Sequence, residues 1–220
     1  MLSIAMLSIA VSCGSSDPAG APGEVSPAVV APASDDSIAD VEPADSTTTV
    51  EIPATTVPIP GSFVVHDFAD PNSVEGWSVQ NDTVMGGVSR SGVDWLDGTL
   101  VFAGNVSLDN NGGFASLRGP LLESPPTDVE ELVVSMSGDG KTYVMQLVTS
   151  SDSFIRRFVA EPGESEQTMP LDEFEATSFM LEPVTPRNPL VSADVRQIAV
   201  YILDKQEGEF ELRLRSIAMR

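Results

Sequence analysis

From Gly61 onward the sequence consists of short apolar runs separated by turn residues, and no stretch of eleven or more residues keeps the spacing of an amphipathic helix. In the last run, 209–217, phenylalanine and leucine instead alternate with charged residues, the period of a strand. Nine such runs predict an all-β sandwich or jelly roll. The predicted strands are 62–68, 98–106, 113–119, 130–137, 141–148, 153–160, 166–171, 196–203 and 209–217.

Two of the turns between these runs predict local hairpins. The first, SGDGKTY at 137–143, has some likeness to a phosphate-binding loop, but Ser135 stands where that motif needs glycine, and a strand follows where it needs a helix. We therefore interpret Asp139-Gly140 as a tight turn that uses the positive φ of glycine, and we expect no nucleotide site. The second predicted hairpin is EPGESE at 161–166, and the proline-rich 182–189 predicts a long exposed loop.

The first thirteen residues, MLSIAMLSIAVSC, have the apolar run of a secretory signal, too short to span a bilayer as a mature helix. The ending AVSC followed by GSSD resembles a bacterial lipoprotein signal, in which Cys13 would carry the lipid. Ala10 departs from the leucine such signals prefer, and no basic residue precedes the run. The alternatives are an ordinary signal peptide, or a misplaced start with Cys13 as an unmodified thiol.

Residues 14–60 are rich in Pro, Ala, Ser, Thr and acids, and cannot bury enough apolar surface to offset the entropy of ordering. They predict a disordered, extended linker, which would tether a folded domain spanning 61–220. With a lipid on Cys13 this organisation predicts a protein on the outer face of the cytoplasmic membrane; without the lipid, a secreted one.

Charge and composition exclude several classes of function. With 33 acidic and 11 basic residues the net charge is −22, which disfavours nucleic acid and anionic lipid as partners. The single cysteine, Cys13, and single histidine, His66, exclude an intramolecular disulfide and most His/Cys metal sites. His66 falls in a predicted strand, which favours a hydrogen-bonded structural role. No GxSxG elbow exists and no carboxylate pair stands out, so we expect no enzyme and no cofactor.

Two loops each place adjacent glycines beside Asn and Asp: NDTVMGGVSRSG at 81–92 and DNNGGFASLRG at 109–119. Glycine permits close backbone approach and positive φ, and Asn and Asp can accept hydrogen bonds from the freed amides. The pairs can therefore be architecture, the interpretation we favour, or a ligand or partner surface. Within the first interpretation, Asp82 and Arg118 can form an ion pair where the loops meet.

A structural calcium ion is a further alternative for this chain. Its oxygen ligands would be Asp109, Asn110 and Asn111, or Asp67 and Asp70. The EF-hand spacing is absent, and the same residue types are ordinary turn formers, so we expect no metal.

Four blocks occur in order along the chain: WSVQNDTVMGGVSRS, LVFAGNVSLDNNGGFASLRG, GDGKTY and DKQEGEFELRLRSI. Together they resemble the NADH:ubiquinone oxidoreductase (complex I) intermediate-associated protein 30 family, over about Phe63 to Ile217. The resemblance implies a galactose-binding-like jelly roll, related to some carbohydrate-binding modules, and a non-enzymatic role, because the best-known members help to assemble respiratory complex I. Those members act in the mitochondrial matrix, whereas this chain has a signal that predicts export.

Carried over by motif, the resemblance implies a set of positions that form a partner or ligand surface. They are Trp77, Asn81, Asp82, Met85, Gly86, Gly87, Ser89, Gly112, Gly113, Phe114, Arg118 and Asp139.

Two functions follow from these observations. The first is a lipid-anchored, non-catalytic binding or assembly module with an unidentified protein partner. The second is a carbohydrate-binding module that stacks an envelope or environmental glycan on Trp77, Trp95 and Tyr143. Exposed tryptophans on a concave face would favour the second function, and buried ones the first.

Overall fold

The computed structural model describes residues 61–178 and 180–220. The predicted signal, Cys13 and the predicted linker 14–60 lie outside these residues. Regular structure in the described part consists of twelve strands and five short 3-10 turns. The strands are β1 (Phe63–Asp67), β2 (Ser78–Asn81), β3 (Arg90–Leu96), β4 (Thr99–Val106), β5 (Ala115–Arg118), β6 (Glu131–Ser137), β7 (Thr142–Thr149), β8 (Ser153–Val159), β9 (Ser165–Pro170), β10 (Glu175–Thr177), β11 (Val195–Ile202) and β12 (Gly208–Met219). The 3-10 turns are Pro71–Val74, Asp82–Met85, Asp109–Asn111, Leu171–Glu173 and Ser192–Asp194.

The strands form two antiparallel sheets. Sheet A has the order β3-β4-β12-β6-β9, and β1 pairs with the second half of β12; sheet B has the order β10-β8-β7-β11-β5-β2. Nine of the twelve strands match predicted runs, and β2, β3 and β10 do not. The predicted all-β sandwich of the jelly-roll kind is confirmed.

The core lies between the sheets and comes from the alternate residues of both. In β12, Phe210, Leu212 and Leu214 are buried, whereas the charged residues between them lie on the outer face, as the alternation predicts. Each apolar side chain removed from water stabilises the fold by about 1.5–3 kcal/mol.

The two predicted hairpins are wrong, because both turns connect one sheet to the other. The turn after β6 carries the chain from sheet A to sheet B, and the turn after β8 carries it back. The two turns lie together: the Gly140 amide donates to the Ala160 carbonyl at 2.8 Å, and the Gly138 amide donates to the Glu161 carbonyl at 3.0 Å. Gly140 has the expected positive φ of 82°. The backbone conformation of this turn was therefore predicted correctly, but the pairing of the two strands that it joins was not.

Near the start of the domain, His66, Phe68 and Trp77 form an aromatic cluster. The Trp77 ring contacts the rings of His66 and Phe68 edge to face, with centroids 5.0 and 5.5 Å apart. His66 Nε2 is buried without a hydrogen-bond partner, so the hydrogen-bonded role predicted for this histidine is wrong at that atom. Burial lowers the pKa of His66 to about 4.

The segment 182–189 is exposed throughout, as predicted. Within residues 61–178 and 180–220, no helix is long and apolar enough to cross a membrane.

Candidate binding site

The two glycine-pair loops meet at one buried carboxylate, that of Asp82. This residue follows β2 as the first residue of the 3-10 turn Asp82–Met85, and it is 1% exposed. Its Oδ1 accepts the Ser89 amide at 3.0 Å, and its Oδ2 accepts the Ser89 hydroxyl. Oδ2 also accepts two amides of the second loop, from Gly113 at 2.7 Å and Phe114 at 3.3 Å. Asp82 therefore ties the segment before β3 to the segment before β5.

Hydrogen bonds alone satisfy this carboxylate, because no ion pair of the described residues includes Asp82. The predicted Asp82–Arg118 pair is wrong. Burial raises the pKa of the Asp82 carboxyl, but the hydrogen bonds from Ser89, Gly113 and Phe114 outweigh it, and the net direction is downward. Asp82 is therefore an anion held in place by backbone and hydroxyl donors.

Each glycine pair has one member that makes room for this anion. A β-carbon on Gly87 would lie 2.3 Å from Asp82 Cγ, and one on Gly112 would lie 2.6 Å from Asp82 Oδ2. The other member in each pair has a positive φ, 90° at Gly86 and 131° at Gly113. One glycine of each pair thus permits close approach, and the other permits the turn.

The turn Asp82–Met85 and Val88, which follows the glycine pair, present apolar side chains to solvent. Val84 is 67% exposed, Met85 is 60% exposed and Val88 is 44% exposed. We call these three residues and the exposed Thr83 the binding tip. Exposed apolar side chains on a fixed backbone are a feature of protein interaction sites.

Asn81 and Ser89 fix the strands on either side of the binding tip. Asn81 Oδ1 accepts the Ser91 hydroxyl at 2.6 Å, which links β2 to β3. The Ser89 hydroxyl, besides donating to Asp82, accepts the Ser107 amide at 3.0 Å. The predicted residues Asp82, Gly87 and Ser89 are buried and form the support of a surface rather than the surface itself; Met85 is exposed.

The side chains of the remaining predicted site residues contact other parts of the domain. Trp77 is 6% exposed in the core, so its assignment to a surface is wrong. Phe114 packs against a small apolar cluster that contains Tyr201. Arg118 Nη2 donates to the Tyr201 hydroxyl at 2.7 Å, while Arg118 Nε is buried without a partner.

Asp139 lies at the turn after β6 and is held by three donors. Its Oδ1 accepts the Lys141 amide at 3.0 Å and the Tyr143 hydroxyl at 3.2 Å, and its Oδ2 accepts the Glu211 amide at 3.0 Å. The twelve predicted residues therefore do not form one continuous surface.

The aromatic residues predicted to stack a sugar do not form a platform. Trp77 and Tyr143 are buried at 6% and 0% exposure. Trp95 is half-buried, and its indole N–H donates to the Phe68 carbonyl at 2.7 Å. Stacking of a glycan on these three side chains is therefore wrong as a prediction.

The residues considered for calcium have local structural roles. Asp70 caps the 3-10 turn Pro71–Val74 by accepting the Asn72 amide at 2.7 Å, and Asp67 accepts the Ala69 amide at 3.0 Å. Asn110 and Asn111 have positive φ angles of 55° and 58°, which these side chains tolerate in turns. The described ranges hold no group of three His, Cys, Asp or Glu residues placed to bind a metal.

Sequence reasoning missed Val84 and Val88, because an isolated valine in a loop has no periodicity to mark it. The available signal is that both lie within three residues of Met85 in a loop that holds the glycine pair. Ser91 and Ser107, which complete the support, carry no sequence signal beyond ordinary strand and turn composition.

Comparisons with known proteins agree with this fold. The family model for "Complex I intermediate-associated protein 30" matches residues 66–214. A search of the curated proteins found no relative. A family 11 carbohydrate-binding module of a Clostridium thermocellum cellulosomal cellulase is similar in structure, with a TM-score of 0.57 and 11% identity over 72% of this chain and 94% of that chain.

Two further solved structures show the same fold. The Clostridium thermocellum family 11 module in complex with a β-1,3-1,4-mixed-linked tetrasaccharide has a TM-score of 0.56 at 11% identity, with 72% of this chain and 94% of that chain covered. An exo-beta-agarase has a TM-score of 0.50 at 10% identity, with 73% of this chain but only 25% of that chain covered. Together with the family match, these similarities show that residues 66–214 have the β-sandwich fold that these modules share.

Proposed function

The chain belongs to the complex I intermediate-associated protein 30 family, and from this premise we propose that it is an exported module that binds a partner protein through the binding tip. The observation that carries the proposal is the contrast within one turn. Asp82 is buried and accepts four hydrogen bonds, whereas Val84 and Met85, two and three residues later, are mostly exposed.

A fixed backbone lowers the entropy lost when a partner binds, because the turn already has its bound conformation. Burial of Val84, Met85 and Val88 against a partner would supply the favourable free energy, about 25 cal/mol for each Å² of apolar surface removed from water. Methionine, with its flexible and polarizable side chain, adapts to the contour of a partner. The turn offers few outward polar groups, which favours a protein over a hydroxyl-rich ligand.

The location of the module follows from the residues before the domain. A lipid on Cys13 and an extended linker would hold the domain away from the outer face of a bacterial cytoplasmic membrane. The partner would then be an envelope protein, and the role would resemble that of an assembly factor, which binds an intermediate without changing it chemically.

Site-specific photocrosslinking tests the proposal. A photoreactive amino acid would replace Met85 in the full chain in cells, with Val159 as the matched control position. Val159 is 40% exposed and lies in β8, four strand positions from β2 in sheet B. We expect a discrete adduct from position 85 that is absent from position 159. Equal adducts from both positions, or none from position 85, would contradict the proposal.

A further inference from the structure

A shallow depression of about 660 Å³ lies at the β3-β4-β12 side of sheet A. Its volume is within the range of small-molecule sites, roughly 300–1,000 Å³. Its lining includes the small residues Gly92 and Ala103 and the polar side chains of Arg90, Asn105, Asp139, Glu209 and Glu211.

The strand register explains the shape of the depression. Gly92, Ala103 and Glu211 are paired across the three strands and form one transverse row. A second, parallel row lies two residues further along each strand. It consists of long polar side chains, those of Arg90, Asn105 and Glu209. A β-carbon on Gly92 would meet no atom within 4 Å. In the first row Gly92 and Ala103 are small and form a floor, open at Gly92, while Glu211 adds a carboxylate at its end. The second row is a wall, and across three strands each row is about 10 Å long.

The polar groups of the depression include both hydrogen-bond donors and hydrogen-bond acceptors. Arg90 is exposed and forms no ion pair with the described residues, so its guanidinium is available as a donor. Asn105 is exposed and offers both a donor and an acceptor. Asp139 is held by its three donors, and the exposed Glu209 adds a second carboxylate. The site is thus partly organised before any ligand arrives.

We propose that this depression binds a neutral, hydroxyl-rich oligosaccharide lying across β3, β4 and β12. A hydroxyl group both donates and accepts, which matches a lining that mixes carboxylates, an amide and a guanidinium. An anionic ligand would meet three carboxylates against the single unpaired guanidinium of Arg90, because Lys141 and Arg213 are already paired with two of those carboxylates, Asp139 and Glu211, and only Glu209 has no cationic partner among the described residues. A cationic ligand would leave Arg90 without an acceptor, and an apolar ligand would leave the side chains of Arg90, Asn105 and Glu209 without hydrogen bonds.

The oligosaccharide site goes beyond the protein-binding function proposed above and uses different side chains. It also differs from the stacking site predicted from the sequence, because it depends on hydrogen bonds in place of Trp77, Trp95 and Tyr143. Loss of one activity therefore leaves the other measurable in the same protein.

Isothermal titration of the full chain tests this inference. The neutral probes are cellohexaose, maltohexaose, laminarihexaose and N-acetylchitohexaose; the charged probes are hexagalacturonate and the glucosamine hexamer. Gly92→Leu fills the floor at a position with free space, and Asn105→Ala removes a polar group from the wall. The double variant Val84→Ser/Met85→Ser is the matched control, since it changes the binding tip and leaves the lining intact.

We expect at least one neutral hexasaccharide to bind at least about tenfold more tightly than hexagalacturonate and the glucosamine hexamer. We expect Gly92→Leu to weaken that binding at least about tenfold, Asn105→Ala to weaken it, and the control to leave it unchanged. The inference is overturned if no neutral probe binds, if either charged hexamer binds as tightly, or if Gly92→Leu binds as the wild type does while melting normally.

Discussion

Gly87 lies so close to Asp82 that a β-carbon on the glycine would be 2.3 Å from the carboxylate Cγ and 2.4 Å from Oδ1. The carboxylate cannot move aside freely, because Ser89 donates to it from one side and the amides of Gly113 and Phe114 donate from the other. A small change at Gly87 therefore disturbs contacts that join two loops about thirty residues apart in sequence.

Gly87→Ala is expected to destabilise the domain. Overpacking of this kind costs about 1–3 kcal/mol, which lowers the melting temperature of a domain of this size by several degrees. Gly92→Ala is the matched control, because Gly92 has free space around its Cα and no positive φ. Gly86→Ala should lie between the two: its β-carbon would also be in open space, and only the φ of 90° opposes it, at about 1 kcal/mol. Equal melting of the Gly87 and Gly92 variants would contradict the close-approach argument.

Asp82→Ala removes the acceptor of four hydrogen bonds and leaves buried amides unsatisfied, at a cost of about 1–3 kcal/mol for a buried donor. The pKa of Asp82 is lowered in the fold, so its contribution is fully present above its ordinary value of 3.8 and is lost as the pH falls below that value. Urea unfolding of both proteins at pH 7 and pH 3 measures this difference. The gap between wild type and variant should be smaller at pH 3, and a gap that widens would be evidence against the assignment.

His66 makes the stability of the fold depend on pH in a second, separate way. Its pKa falls from 6.5 in the unfolded chain to about 4 in the fold, so the unfolded chain binds more protons between these values. Stability therefore decreases as the pH falls from 6.5 to 4, by at most about 1.4 kcal/mol for each pH unit.

His66→Phe should remove this dependence and keep the packing against Phe68 and Trp77. It also removes Nε2, which has no partner. The measurement is the difference in unfolding free energy between variant and wild type at pH 7, 5.5 and 4. We expect the difference to shift in favour of the variant as the pH falls. A constant difference would show that His66 titrates at its ordinary pKa.

The sequence predicts well the strands that have long apolar runs, as β4 and β7 illustrate, and also the first part of β12, where a single buried face imposes a period of two. It does not predict β2, β3 and β10. Strand β10 has three residues, and β3 lies at the edge of sheet A, where its inward residues are only half-buried. A short or half-buried strand gives little alternation to detect.

The turns show a different limit of prediction from the sequence. Asp139-Gly140 indicates a tight turn, and Gly140 has the positive φ that such a turn uses. A hairpin and a crossing between sheets can both use this conformation, and only tertiary packing selects between them. Similarly, the NDTVMGG motif predicts a structural loop, but which of its residues face inward at Asp82 depends on the second loop, which is distant in sequence.

The proposed lipid anchor is assigned to Cys13, which lies outside the described residues. If the ending AVSC is a lipoprotein signal, Cys13→Ala should move the protein from the membrane fraction to the soluble fraction, and mass spectrometry should detect a lipid on the wild-type cysteine only. Cys13→Ser serves as a second variant with the same expected result. Unchanged fractionation together with an unmodified Cys13 would exclude the lipid anchor.

The central claim is that the segment 82–88 has an inward part, Asp82 and Gly87, which holds the fold, and an outward part, Val84 and Met85, which is proposed to bind a partner. The most direct test is to measure melting temperature and photocrosslinking from position 88 together, in otherwise unchanged protein, in Asp82→Ala and in Val84→Ser/Met85→Ser. We predict that Asp82→Ala melts several degrees lower, and that the double variant melts as the wild type does but loses the crosslinked partner. A double variant that keeps the partner, or an Asp82→Ala protein that melts normally, would contradict the account.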